Sequence, residues 1–167
     1  MTDLTYQPLS PEDAAAWRNL RIEGARDFPL GFLISEEDAK AASVAHCRDI
    51  IARGALRGVY DGGTLVGFCG YRPQTLARTR HRAEVGPFYV TPPYHGSGAA
   101  SVMMQGVIAE AAANGVSRLE LFVDTANPRA IGFYERLGFM RVATITDGVR
   151  IDGQSRDDYL YHLDLAS

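Results

Sequence analysis

The stretch Thr91–Met104, TPPYHGSGAASVMM, restricts the fold more than any other part of the chain. An apolar run ending at Val90 stops at Pro92 and Pro93, because proline cannot donate to a sheet ladder. Gly96 and Gly98 follow. Val102, Met103, Val107, Ile108 and Ala111 then recur at helical spacing up to Asn114-Gly115. The segment therefore predicts strand, glycine turn and helix in immediate succession. Such a junction leaves the first N–H groups of a helix unpaired at the positive end of its dipole, which favours an anion. Glycines clear side chains from the approach, which suits a bulky diphosphate better than a carboxylate. Simple chain geometry accounts for the glycines about as well at this point.

Three specific signatures can be set against the segment. A P-loop requires a lysine and a hydroxyl residue after its last glycine, and Ala99-Ala100 stands there. A dinucleotide fingerprint fits poorly, because Ser101 takes the place of the third glycine and the junction follows a hairpin instead of an opening strand. A nucleophile elbow around Ser97 would place glycines where His95 and Ala99 are found.

The remaining punctuation places the other elements. A strand over Leu4–Gln7 precedes a helix from Ser10-Pro11 to about Asp27. Pro29 and Gly31 break it, and Ser35 followed by acidic residues starts a second helix that should run to near Gly54. Asp61-Gly62-Gly63 marks a hairpin between two strands. A third strand, HRAEVGPFYVTP, carries Gly86-Pro87 at its middle and predicts a bulge or bend. After the glycine junction and its helix, VSRLELFVDT reads as a strand, NPRAIGFYERLGF as a short helix, and Met140–Leu165 as two strands joined around DGVRIDGQ. The expected architecture is α/β (α+β): a mixed, largely antiparallel sheet of about seven strands flanked by about four helices.

With 167 residues and 46% hydrophobic content, the chain suits one domain over 1–167. Seventeen basic against 20 acidic residues, without a basic block, speak against nucleic-acid binding. Cys47 and Cys69 are too few for a disulfide framework and lack zinc-ligand spacing, so a reduced, cytoplasmic protein without a metal is expected. No segment has the length of apolar sequence that a membrane span or secretion signal needs.

VTPPYHGSGAASVMM resembles the acetyl-CoA pyrophosphate loop of the GNAT acetyltransferase superfamily. The family pattern is Arg or Gln, two residues, Gly, one residue, then Gly or Ala, and it falls here on His95, Gly98 and Ala100. His95 departs from the usual Arg or Gln. A later block, DTANPRAIGFYERLGF, resembles the family's segment with an asparagine after a strand, a tyrosine seven residues on and a closing Leu-Gly-Phe: here Asn127, Tyr134 and Leu137-Gly138-Phe139.

The resemblance implies direct acetyl transfer from acetyl-CoA, as co-substrate, to a primary amine of a small molecule or peptide. It assigns the pantetheine arm to the backbone of Phe88, Tyr89 and Val90. The pyrophosphate falls to the backbone of Gly96, Ser97, Gly98, Ala99, Ala100 and Ser101, with His95 alongside. It makes Tyr134 the general acid, Glu84 the general base and Asn127 a cofactor contact; from the residues themselves, His81, with an ordinary histidine pKa of about 6.5, is the alternative base, and Asn127 reads as the cap of the helix that Pro128 begins. Without the family, Tyr134 reads as a core residue and Glu84 as a solvated or paired carboxylate, with Arg82 as the nearest partner in sequence. Acceptor specificity should come from Phe28 and Phe32 and from the segment holding Arg156, Asp157 and Asp158. A dimer is common in the family. A non-catalytic acyl-CoA-binding or sensing domain is the alternative of a different class; an NAD-binding fragment is a third.

Overall fold

The computed structural model describes residues 2–166. β1 (Leu4–Pro8) leads through a 3-10 turn at Pro11–Asp13 into α1 (Ala14–Asp27), and a second such turn at Pro29–Gly31 precedes α2 (Glu36–Ala41) and α3 (Val44–Ala52). β2 (Leu56–Asp61), β3 (Thr64–Pro73) and β4 (Arg82–Val90) follow. The chain then passes a 3-10 turn at Pro92–Tyr94, α4 (Ala99–Ala113), β5 (Arg118–Asp124), α5 (Pro128–Arg136), β6 (Met140–Ile151) and β7 (Gln154–Asp164). The strands form one seven-stranded sheet in the order β1-β2-β3-β4-β5-β7-β6. β4 and β5 run parallel, whereas β1/β2, β2/β3, β5/β7 and β6/β7 are antiparallel. This is the mixed, largely antiparallel sheet that the pattern predicts. The chain divides into two compact units, Met1–Tyr71 with Pro87–Glu110, and Arg72–Gly86 with Ala111–Ser167.

In the first unit, an aromatic core joins α1, the segment after it, β3 and β4. Trp17 meets Phe68 edge-on with ring centroids 5.9 Å apart, and Phe32 lies 5.5 Å from Tyr89. Leu20, Cys47 and Ile51 belong to the same cluster. Phe32 sits directly on Gly24, where a Cβ would come within 2.3 Å of its ring. Arg57 and Tyr6 both hydrogen-bond Glu110 of α4, at 2.7 Å and 2.8 Å.

The single helix predicted over residues 35–54 is two helices. Ser43 stands between them in extended conformation and its Oγ accepts the His46 N–H at 3.0 Å. A serine that satisfies a new helix start competes with continuation of the old helix, and Ala42 has already left helical conformation with ψ 121. The described residues therefore form five α-helices where about four were expected.

In the second unit, Leu119, Leu121 and Val123 alternate into a core with Tyr134, Phe139 and Tyr161. The segment DGVRIDGQ separates into two devices. Asp152-Gly153, with φ of 51 and 77, forms the two-residue turn between Ile151 and Gln154. Asp147, also at φ 51, lies within a register shift of β6 between Ile145 and Val149, which is a bulge.

Candidate active site

In the first unit, the junction has the strand, turn and helix expected of it. Gly96 and Gly98 adopt φ of 78 and 91, conformations that residues with side chains rarely hold. The loop satisfies part of its own backbone: the Ser97 N–H reaches the Tyr94 carbonyl at 3.2 Å, and the Ala99 N–H donates to Ser97 Oγ at 3.2 Å. The N–H groups of Gly96, Gly98, Ala100 and Ser101 have no acceptor among the described residues. They stand at the start of the 15-residue α4, so a nest of donors coincides with the positive end of a helix dipole. Gly96 and Gly98 are exposed, and a Cβ at either would meet no atom within 4 Å, so no neighbouring side chain or backbone crowds the two glycines. These features fit a diphosphate.

Side chains hold this loop from several directions. Thr91 Oγ1 donates to Glu23 of α1 at 2.9 Å, and the Tyr94 hydroxyl donates to Asp61 at 2.7 Å. Ser97 Oγ donates back to the Tyr94 carbonyl at 2.6 Å. His95 turns inward: its Nε2 lies 2.8 Å from the Val90 carbonyl, so that nitrogen carries the proton and donates, and the ring meets Phe28 at 5.9 Å. Of the three residues assigned to pantetheine, Val90 thus has its carbonyl engaged by His95. The Tyr89 side chain is 5% exposed in the aromatic core, and burial pushes its phenol well above the ordinary range. Phe32 is a core residue beside it, whereas Phe28 is partly exposed at 38%.

In the second unit, the β4/β5 ladder pairs Arg82–Glu84 with Arg118–Glu120. Gly86 follows at φ 153, a value that favours glycine, and Pro87 has no N–H to give. The pairing of β4 with β5 ends at Glu84, just before this glycine-proline pair. Arg72 straps it, donating through Nη1 to the Gly86 carbonyl at 2.7 Å and through Nη2 to Glu84 Oε1 at 2.8 Å. The expected partner Arg82 is instead bound to Glu120, whose carboxyl it holds below the usual carboxylate range. Register explains the exchange: Arg82 and Glu120 lie on adjoining parallel strands, two positions apart in register and so on the same face, while Arg72 reaches Glu84 from β3. His81 is exposed just before β4, with its carbonyl accepting from Ser117 and Arg118.

α5 begins where β5 ends. Asn127 caps it, Oδ1 accepting the Ala130 N–H at 3.3 Å, and Pro128 takes the first turn. Tyr134 is 7% exposed on the buried face of α5, with Phe133 at 5.5 Å and Phe139 at 5.7 Å. The side chain that anchors the approach to α5 was not singled out from sequence. Asp124, 4% exposed, accepts from Arg156 Nε at 2.9 Å and Nη2 at 2.7 Å, and also from the Ala126 N–H at 2.8 Å. The alternation of β5 gives no signal for it, because Asp124 shares a face with Arg118 and Glu120, where a charged residue reads as solvated. Of the segment Arg156–Asp158, Arg156 serves this pair and Asp157 accepts the Asp147 N–H at 2.9 Å. Among the described residues no group of three or more His, Cys, Asp or Glu could hold a metal, and no helix is long and apolar enough to cross a membrane.

The profile described as "Acetyltransferase (GNAT) family" matches residues 17–139, which include both the glycine loop and α5. An uncharacterised N-acetyltransferase of Mycobacterium tuberculosis is 32% identical over 151 residues, covering 84% of this chain and 92% of that protein. A mycothiol acetyltransferase of Propionibacterium freudenreichii is 30% identical over 148 residues, 80% of this chain but 47% of the longer relative. Among solved structures, an N-acetyltransferase of Staphylococcus aureus superposes with a TM-score of 0.84 at 19% identity, covering 98% of this chain and 99% of that one. An acetyltransferase of Salmonella typhimurium, solved with its cofactor acetyl-CoA, superposes with a TM-score of 0.82 at 16% identity, covering 98% and 94%. The chain belongs to the GNAT family of acetyltransferases.

Proposed function

We propose that this chain, as one domain over 1–167, transfers the acetyl group of acetyl-CoA to a primary amine of a small molecule or peptide. The observation that carries the reading is the set of four N–H groups at Gly96, Gly98, Ala100 and Ser101 that have no acceptor among the described residues and stand beside two uncrowded glycines at the start of α4. These donors bind the pyrophosphate, with Ser97 and Ala99 shaping the loop and His95 tying it to Val90. The backbone of Phe88 and Tyr89, beyond the Gly86-Pro87 bend, binds the amide-rich pantetheine arm by adding hydrogen bonds of the strand type. Acetyl-CoA supplies the acetyl group as an activated thioester. Glu84 removes a proton from the acceptor amine, directly or through water, and the Tyr134 hydroxyl donates its proton to the departing thiolate. Asn127 sets the start of α5 and thereby the place of Tyr134. The family relationship and the acetyl-CoA-bound Salmonella neighbour support this reading. Cys47 and Cys69 form no disulfide among the described residues, which suits the reducing cytoplasm.

The ion pair between Glu84 and Arg72 favours one second reading: a domain that binds acyl-CoA without turnover, with Glu84 serving only to hold the bend. Calorimetric titration with acetyl-CoA, CoA and NAD, followed by thiol release across an amine panel, separates the possibilities. Transfer requires acetyl-CoA binding that Gly98→Leu abolishes, plus thiol release with at least one amine. Binding without release supports the sensing domain, and preference for NAD overturns both.

A further inference from the structure

Within the second unit, one face of β5, β7 and β6 carries an unusual combination of side chains. Residues directly opposite one another on antiparallel strands share a face. Phe122 faces Leu160, which faces Ala143; Asp124 faces Asp158, which faces Ile145. Phe122 is 49% and Ile145 40% exposed, so the apolar row is open. Asp158 lies in its midst, half-buried, with no hydrogen bond or ion pair among the described residues.

The charged groups around Asp158 do not neutralise it. Asp124 is the carboxylate directly across, and its guanidinium, Arg156, is spent on that residue in two hydrogen bonds. Asp157, the next residue in β7, adds a third negative charge, and its carboxylate is turned to the Asp147 N–H. Burial, reinforced by Asp124, raises the Asp158 carboxyl above the ordinary value against the weaker pull of Arg156. A half-buried carboxylate without a partner is costly to keep. The backbone beside it is also special. β6 bulges between Ile145 and Val149, and at Gly148 a Cβ would stand 3.6 Å from Asp158 Oδ2 and 3.2 Å from Ile145 Cγ2. Bulges commonly re-aim strands next to functional sites.

We propose that Asp158 receives the ammonium group of the acceptor, and that Phe122, Leu160 and Ile145 receive its apolar body, so that the preferred acceptor is a primary amine on an aryl or alkyl chain. The inference rests on the transferase reading and specifies its substrate class. A cation supplies the missing partner of Asp158, and an apolar body covers the exposed row, so one ligand answers both observations.

The test uses the full chain with two probes, 2-phenylethylamine and hexylamine, and the uncharged 2-phenylethanol as control. Binding is followed by calorimetry and by amide chemical shifts. Saturable binding of either amine is expected, with shifts at Phe122, Ile145 and Asp158. Asp158→Asn should weaken it at least tenfold, and Phe122→Ala several-fold. The alcohol should bind wild type no better than the amines bind Asp158→Asn. Acetyl-CoA is titrated in parallel into wild type and Asp158→Asn, and its affinity should be the same in both. If acetyl-CoA binds while neither amine does, or while the amines bind wild type and Asp158→Asn alike, this inference falls alone. If acetyl-CoA does not bind wild type, the transferase reading falls first.

Discussion

Thr91 Oγ1 donates to the Glu23 carboxylate at 2.9 Å and so ties the end of β4 to α1 immediately before the glycine loop. The bond fixes the direction in which Pro92–Tyr94 leaves the sheet, and the loop's free N–H groups inherit that direction. Removing one such bond costs about 1 kcal/mol. Thr91→Val is therefore expected to weaken acetyl-CoA about fivefold in a calorimetric titration, by loosening the loop before binding. Glu23→Gln, which still accepts a hydrogen bond, should weaken it less than Glu23→Ala.

Tyr134→Phe should lower kcat by about 10²-fold or more, the usual range for loss of a general acid, while leaving acetyl-CoA affinity within about twofold. Glu84→Gln should lower kcat similarly if Glu84 is the base, because the amide cannot take a proton. Rapid thiol-release kinetics at saturating acetyl-CoA measure both. A Tyr134→Phe enzyme with undiminished kcat would remove the assigned acid.

Asp124 and Asp158 lie opposite each other on β5 and β7 yet should respond to pH with opposite signs. Arg156 holds the Asp124 carboxyl below its ordinary value, so the pair adds stability above the unfolded-state pKa of about 4 and loses it as pH falls through the folded value. Asp124→Asn should cost about 2 to 3 kcal/mol at pH 7, since it leaves the guanidinium without its carboxylate, and progressively less on acidification below pH ~4. Burial raises Asp158, so its ionisation opposes folding above the same pH. Asp158→Asn should raise Tm at pH 7, and the gain should vanish as pH falls below ~4. Thermal unfolding of the three proteins across this range checks both signs.

Gly106 lies in α4, where alanine would ordinarily improve helix stability by about 1 kcal/mol. A Cβ there would stand 2.2 Å from Cγ of Tyr6, whose hydroxyl is tied to Glu110 at 2.8 Å. The ring cannot swing aside without breaking that bond, so crowding at about 1 to 3 kcal/mol exceeds the propensity gain. Gly106→Ala should lower unfolding free energy by roughly 1 kcal/mol in urea, and Gly106→Ala combined with Tyr6→Leu should recover part of the loss.

The elements were legible wherever local chemistry decides conformation. Asp61-Gly62-Gly63 supplies the positive φ values of a two-residue hairpin turn, and Gly86 takes the φ of 153 that favours glycine, beside a Pro87 that has no donor. Ser43 was the exception. Its capping role depends on Ala42 turning away, which an apolar helical pattern running through both does not reveal.

Residue spacing by itself determined the strand, glycine turn and helix of the loop, the order of elements and the two blocks that mark the family, since these depend on neighbours within a few positions. Only the tertiary structure decided which charges meet. Arg72 displaces Arg82 at Glu84, Arg156 closes on Asp124, His95 folds back to Val90, and the Asp158 carboxylate has no hydrogen bond or ion pair among the described residues. Pairing across strands depends on register, and a shift of one residue exchanges the faces. Ionic contacts between residues 12 and 32 positions apart are therefore settled by the assembled sheet and cannot be read along the chain.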